Sequence, residues 1–201
     1  MTDGVLEIPA QIDGIPVTEI GDNAFNKTAE GTDNTNQEAT RYAAITELKL
    51  PDSIKKINAR SFFALCKIGY IKTPSALEEI GDQAFAATRA VSSIELNDGL
   101  KTIGAAVFQN CGYDNKATME ELVIPNSVTS IGTNVFRGCK VKRIILSANI
   151  TTIPWYAFYH CSSLKEVVFK GNITSCGDEA CGGTCADGIQ IYSYPSSIEQ
   201  I

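Results

Sequence analysis

The chain has 201 residues, a hydrophobic fraction of 44% and a formal net charge of -6 at neutral pH. That composition supports a buried core and excludes a disordered chain. The acidic balance excludes nucleic acid as the main expected partner, because phosphate binding needs a clustered excess of Lys and Arg. No apolar run approaches the roughly 18 residues of a membrane span. The opening "MTDGVLEIPA" lacks the basic start and apolar core of a signal peptide. The seven cysteines do not read as a small disulfide scaffold, since the chain is long and apolar enough to fold without one.

Along the chain, one pattern returns. Its clearest copy is residues 122–139, "LVIPNSVTSIGTNVFRGC". The first unit supplies Leu6, Ile8 and Pro9, followed by "IDGIPVTEIGDNAF", in which Gln11 to Ile15 are extra relative to later units. A polar stretch, 26–44, is rich in Thr, Asn and Glu and is expected to form an exposed, mobile loop. The second unit is "ITELKLPDSIKKINARSFFALC", with Asn58 where Gly stands elsewhere. The third has Thr88 at the Cys position. A shorter insertion, 112–118, follows the fourth. The fifth and sixth units are regular. In the seventh, Cys176 takes the Ile slot and Cys181 the Phe slot, and the chain ends at the Ile of an eighth unit.

Two beats agree. Phe25, Phe62, Phe85, Phe108, Phe136 and Phe158 are separated by 37, 23, 23, 28 and 22 residues. The strand signals Leu48, Ile71, Ile94, Leu122, Ile144, Val167 and Ile189 follow the same spacing. A period near 23 lies in the range of leucine-rich repeats. Within a unit, Leu122 and Ile124 alternate with exposed neighbours, as in a strand. Pro125 ends pairing because it cannot donate to a ladder. Val128, Ile131 and Phe136 then point inward. One unit cannot bury its apolar side alone, so units must stack and share a core. Pro154 occupies the slot that Gly fills elsewhere, and proline locks φ near -65°. Positive φ is therefore not obligatory there, and close packing of coils is the expected reason for the glycines.

The unit resembles the BspA-like leucine-rich repeat family, whose copies read approximately "L-x-x-[IV]-x-[IL]-P-x-S-[VIL]-x-x-I-G-x-x-A-F-x-x-C". The resemblance covers about 160 of the 201 residues. It implies a curved solenoid of the β-rich α/β class, with a parallel sheet on the concave face and seven to eight repeats, forming one domain over residues 1–201. It also implies export to the cell surface or secretion, and adhesion or host-protein binding. It supplies no catalytic residues.

Several residues invite chemistry. Cys111, Cys139 and Cys161 share one slot and should form a column, either of small apolar fillers or of disulfides between coils. Cys176, Cys181 and Cys185 lack a fourth ligand and the C-x2–4-C pair of a structural zinc site; a disulfide through Cys185 is the stronger reading. His160 and Cys161 are neighbours, but no third group orients a base. Trp155 stands at an otherwise polar slot and is expected to be partly exposed. No metal, cofactor or catalytic residue is assigned.

The concave face carries more. One outward row reads Lys49, Lys72, Glu95, Val123, Ile145, Val168 and Gln190, in which Val123, Ile145 and Val168 form an apolar stripe. A second reads Glu47, Tyr70, Ser93, Glu121, Arg143 and Glu166. The stripe reflects strand propensity alone or, with Tyr70, Arg143, Glu121 and Glu166 as its polar rim, a binding patch. The leading expectation is a non-enzymatic, monomeric binding module for a protein, such as an extracellular matrix or serum protein, or for a glycan. The alternative is a structural spacer within a longer surface protein, which the start in a strand and the end within a unit suggest.

Overall fold

The structure, a computed structural model, describes residues 4–26, 44–114 and 119–182 and the backbone of 190–193. The polar stretch 26–44 lies almost wholly outside the described residues, as do 115–118 of the second insertion, Cys185, Ile189 and the start of the eighth unit. The chain winds as a solenoid of parallel strands with two strand positions per coil.

The longer position is filled by β1 (Val5–Glu7), β5 (Glu47–Lys49), β7 (Tyr70–Lys72), β9 (Ser93–Glu95), β11 (Met119–Val123), β13 (Val141–Leu146), β15 (Glu166–Phe169) and β17 (Gln190–Ser193). These form the strand face. The return leg carries two-residue strands: β4 (Glu19–Ile20), β6 (Lys56–Ile57), β8 (Glu79–Ile80), β10 (Thr102–Ile103), β12 (Ser130–Ile131), β14 (Thr152–Ile153) and β16 (Ser175–Cys176). Neither leg contains an α-helix among the described residues. The extra residues of the first unit make a hairpin of β2 (Gln11–Ile12) and β3 (Ile15–Pro16). Asp13 and Gly14 lie between them at φ of 50° and 79°, the left-handed pair that a two-residue hairpin loop demands.

Each coil turns after its strand in the same way. The amides of Ile54, Leu77, Leu100, Val128 and Ile150 donate to the carbonyls of Pro51, Pro74, Asn97, Pro125 and Ser147, three residues earlier. This is the hydrogen bond of a β-turn. It aims Val128 and its counterparts into the core, where Ile54, Leu77, Leu100, Val128 and Ile150 are all buried.

A column of phenylalanine rings fills the return side of the core. Phe62, Phe85, Phe108, Phe136 and Phe158 are buried, and with half-buried Phe25 they stack at centroid distances of 5.5, 5.4, 6.4, 6.1 and 5.7 Å. The spacing is that of offset-stacked rings. It follows from repeating one residue type at one slot on coils that sit about 4.8 Å apart in their ladders.

The glycine slot behaves as expected. None of Gly81, Gly104, Gly132 and Gly177 has a left-handed φ. A Cβ on Gly81 would come within 2.8 Å of the Ala59 nitrogen, and one on Gly132 within 2.4 Å of the Ala105 nitrogen. The glycines let the backbone of one coil lie on the next.

Left-handed backbone occurs elsewhere, at two slots the sequence conceals. Two residues before each Phe, Asn23, Arg60, Gln83, Ala106, Asn134 and Tyr156 have φ of 53–58°; two residues after it, Ala64, Ala87, Asn110, Gly138 and His160 have φ of 56–66°. L-residues adopt this region at a cost of roughly 1–2 kcal/mol each. The cost is offset because these turns aim their amides at the next coil. Gln83 N donates to Ala105 O (2.8 Å), Ala87 N to Gln109 O (2.7 Å) and Phe62 N to Ala84 O (2.9 Å). Each coil boundary thus carries a ladder on the return leg. Ala87→Gly should relieve the local strain while keeping the bond. Stability is expected to rise by up to about 1 kcal/mol, net of the added chain entropy, and thermal melting checks it.

The cysteine column is a column of fillers. Cys111, Cys139 and Cys161 are buried and none is joined in a disulfide. Cys111 Sγ donates to Phe85 O (3.3 Å) and Cys161 Sγ to Phe136 O (3.0 Å). Thr88 extends the column, with its hydroxyl 3.0 Å from Cys111 Sγ. Burial pushes the Cys111 thiol up to about 12 and Cys139 well above its ordinary value. The folded state therefore keeps these protons while the unfolded chain loses them. Stability should fall as pH rises above about 9, by about 1.4 kcal/mol per pH unit for each such thiol, until the folded thiols ionise. Denaturant titrations between neutral and alkaline pH read this slope.

Cys176 and Cys181 occupy the Ile and Phe slots; Cys176 pairs in register with Ile153. Both are exposed, however, rather than buried as those slots imply. Alkylation of the native protein at neutral pH should mark Cys176 and spare Cys111 and Cys139, which peptide mapping would read.

Candidate binding face

On the strand face the side chains alternate between core and solvent. Leu122 and Ile124 are buried, and Val123 between them is 39% exposed. The register sets Val123 beside Ile145 and Ile145 beside Val168. The row does not stay exposed. Ile145 is half-buried and Val168 is 3% exposed. Val168 lies on a strand flanked on both sides, with Ile145 and Tyr192 as its partners in register, whereas Val123 lies on the edge strand of its sheet. The expected three-residue apolar stripe is therefore two residues, Val123 and Ile145. Val168 stays on the outward row but is buried, while its neighbour Val167 joins the core cluster, so Val168→Glu would report on folding.

The last strand is also shifted by two residues from its expected alignment. Ile191, rather than Ile189, continues the column of Leu122, Ile144 and Val167, and Gln190 pairs with Glu166 in the second outward row.

The second row forms a chain of charges. The Arg143 guanidinium lies between Glu121 (2.9 Å) and Glu166 (3.0 Å). Beside it, Lys142 pairs with Glu120 at 2.6 Å. Further toward the N-terminus, Lys72 pairs with Glu95 at 2.9 Å. The Tyr70 hydroxyl donates to the same carboxylate. These hydrogen bonds, that from Tyr70 first, hold the Glu95 carboxyl below its ordinary range, and the bond to Glu95 raises Tyr70. The lysine end of the first row is thus paired, Lys72 with Glu95 and Lys49 with Glu47 at 3.7 Å. Exposed pairs of this kind contribute about 0–1 kcal/mol to stability; their effect is to hold Tyr70 and Arg143 in fixed orientations.

The strand face is interrupted. Strands β1 and β5 form one sheet, β7 and β9 a second, and β11, β13, β15 and β17 a third, while the return strands β4, β6, β8, β10 and β12 form one continuous sheet. Between β5 and β7 lies an open cleft of about 310 Å³. Leu48, Leu50 and Pro74 line it together with Glu47, Lys72 and Tyr70. Tyr70 is 46% exposed. The cleft has no counterpart in the sequence pattern, since Leu48 and Ile71 are 23 residues apart like Ile71 and Ile94.

The structure thus places Tyr70 at the cleft and joins Glu121, Arg143 and Glu166 to the Val123–Ile145 patch. Tyr70 and Arg143 lie three strands apart, about 14 Å at the usual ladder spacing. His160 and Cys161 do not meet as a catalytic pair: His160 is exposed and packs edge-on to Tyr159 at 4.1 Å, whereas Cys161 is buried. Among the described residues no three His, Cys, Asp or Glu residues are grouped to hold a metal ion. No helix among them is long and apolar enough to cross a membrane.

The chain resembles known proteins in this architecture. The solved leucine rich repeat protein of T. pallidum matches with a TM-score of 0.72 at 28% identity, over 87% of this chain and 73% of that one. Pneumococcal vaccine antigen PcpA matches with a TM-score of 0.47 at 17% identity, over 86% of this chain and 68% of that one. A leucine rich cell surface protein of Faecalibacterium prausnitzii matches with a TM-score of 0.37 at 17% identity, over 95% and 69%. No curated protein sequence matches the chain. The model of the BspA type leucine rich repeat region, in six copies, matches residues 33–121 and 113–201. With its units of near 23 residues and parallel strands, the chain belongs to the BspA-type leucine-rich repeat family.

Proposed function

We propose that this chain is a non-enzymatic module that holds another protein on its strand face, at a cell surface or after secretion. The observation that carries the reading is the patch on β11 and β13: exposed Val123 and half-buried Ile145, rimmed by the Glu121–Arg143–Glu166 chain. An apolar centre with a charged rim is the anatomy of a protein interface. The cleft at Tyr70 extends this face toward the N-terminus and offers a concave anchor point. Because the strands are held in ladders and the charges are already paired, little ordering cost falls on binding. The surface location rests on what the family resemblance implies.

The test is retention of extracellular matrix and serum proteins by the immobilised chain, compared with its Val123→Glu and Ile145→Glu variants. A partner held by the wild type and lost by both variants is the expected result. Equal retention by all three would refute a strand-face site. No retained protein would favour the spacer alternative. Both variants should melt within about 2–4 °C of the wild type, as surface changes do.

A further inference from the structure

The return face changes character on the sixth coil. Where other coils carry Asp22, Ala59, Asp82, Ala105 or Thr133, three residues before the Phe, the sixth carries Trp155; Tyr156 replaces Asn134, and Tyr159 replaces Gln109. Trp155 is 56% exposed. Tyr156 and Tyr159 are half-buried and meet edge-on at 5.2 Å. The Arg137 guanidinium stacks over the Tyr159 ring at 5.1 Å, which fixes that ring from the preceding coil.

Trp155 is also fixed. A Cβ on Gly177 would come within 2.2 Å of Trp155 Cδ1, so the indole lies directly on the backbone of the seventh coil. The coil beneath leaves a bare glycine there and presents Asp178 and Glu179, both exposed, beside it. Tyr156 N donates to Asp178 O at 3.4 Å, which ties the two coils together at this point. The result is a rigid aromatic platform bordered by hydrogen-bond acceptors.

We propose that this platform is a second site, separate from the strand face, that binds a neutral glycan. The apolar C–H face of a pyranose ring matches an exposed indole, and its hydroxyls match the carboxylates and phenol hydroxyl around it. The charge disfavours an acidic sugar: Asp178 and Glu179, on the adjacent coil at the slots of Trp155 and Tyr156, outnumber Arg137, and the chain carries a net -6. The size argues against a protein partner. A stable protein interface needs about 800 Å² on each side, whereas Trp155, Tyr156 and Tyr159 all lie on one coil, with Thr133, Asn134, Asp178 and Glu179 on the coils beside it.

Trp155 is the single tryptophan of the chain, so its emission reports the site directly. The experiment titrates the whole chain with neutral tetrasaccharides of glucose, mannose, galactose and N-acetylglucosamine, with sialyllactose and a heparin fragment as acidic controls. At least one neutral sugar should shift the emission to the blue and saturate. Tyr159→Ala should weaken that binding about tenfold, and Val123→Glu should leave it unchanged. Affinity electrophoresis through the same glycan should show retardation of the wild type and none of Trp155→Ala, with circular dichroism confirming that both are folded. The proposal is overturned if no neutral sugar changes the emission, if the acidic controls bind in preference, or if Trp155→Ala remains retarded.

Discussion

Phe136→Ala is expected to destabilise the protein by about 3–5 kcal/mol, the cost of a buried aromatic truncated to a methyl group. The ring is fully buried and sits between Phe108 at 6.1 Å and Phe158 at 5.7 Å. Those neighbours are held in place by further rings in the same column, so the cavity cannot collapse easily. The stacking contributions of roughly 0.5–1.5 kcal/mol per pair are lost on both sides. In a solenoid each coil contacts only its neighbours, so a defect at an inner coil weakens two interfaces at once. The denaturation curve should therefore broaden as well as shift. Phe25→Ala, at a half-buried ring at the start of the column, should cost clearly less. Equilibrium unfolding followed by circular dichroism measures both, and equal costs would show that the column is not a cooperative spine.

Gly132→Ala is expected to cost about 3 kcal/mol, the upper part of the usual overpacking range. The added Cβ would lie 2.4 Å from the Ala105 nitrogen and 2.5 Å from the Gly104 carbonyl carbon. These are backbone atoms, and they cannot rotate away. Relief requires separating two coils whose ladder includes Gly132 N to Ile103 O at 2.8 Å. Gly21→Ala provides the control at the same slot. Nothing lies within 4 Å of its Cβ position, and its φ is not left-handed. It should be neutral or should stabilise by up to about 1 kcal/mol, since alanine restricts the unfolded chain. A similar loss for both substitutions would contradict coil contact as the reason for the glycines.

These predictions rest on columns that are legible in the sequence. One residue type recurs at one slot, so Phe136, Val128 and Ile131 declare their inward direction and the Gly132 slot declares its tightness. Pro154 already excludes a left-handed requirement there, and the exposure of Trp155 follows from a slot that holds small or polar residues elsewhere, although Ala59 and Ala105 show that it is not polar throughout. The left-handed turns were not legible, because Arg60, Gln83, Ala106 and Tyr156 are not residues that announce positive φ. The ladder of amides to the next coil, rather than residue type, imposes that backbone. Val168 misled for a related reason. Alternation assigns a side chain to a face, but how much of it meets solvent depends on what flanks it. The alignment of the last strand failed because a shift of two residues preserves facing, so Ile189 and Ile191 satisfy the same pattern. The cleft beside Tyr70 left no trace either, since the spacing across it is the ordinary 23 residues.

The measurement that bears most directly on the strand-face reading is the affinity of the retained protein partner for variants on the two faces. Val123→Glu and Arg143→Ala alter the strand face, and Thr133→Glu and Trp155→Ala alter the return face, all at positions that are not fully buried. The expected result is a loss of about tenfold or more for each strand-face variant and unchanged affinity for the return-face pair. Affinity that falls for the return-face variants and survives Val123→Glu would place the partner on the opposite side of the solenoid and contradict the proposed function.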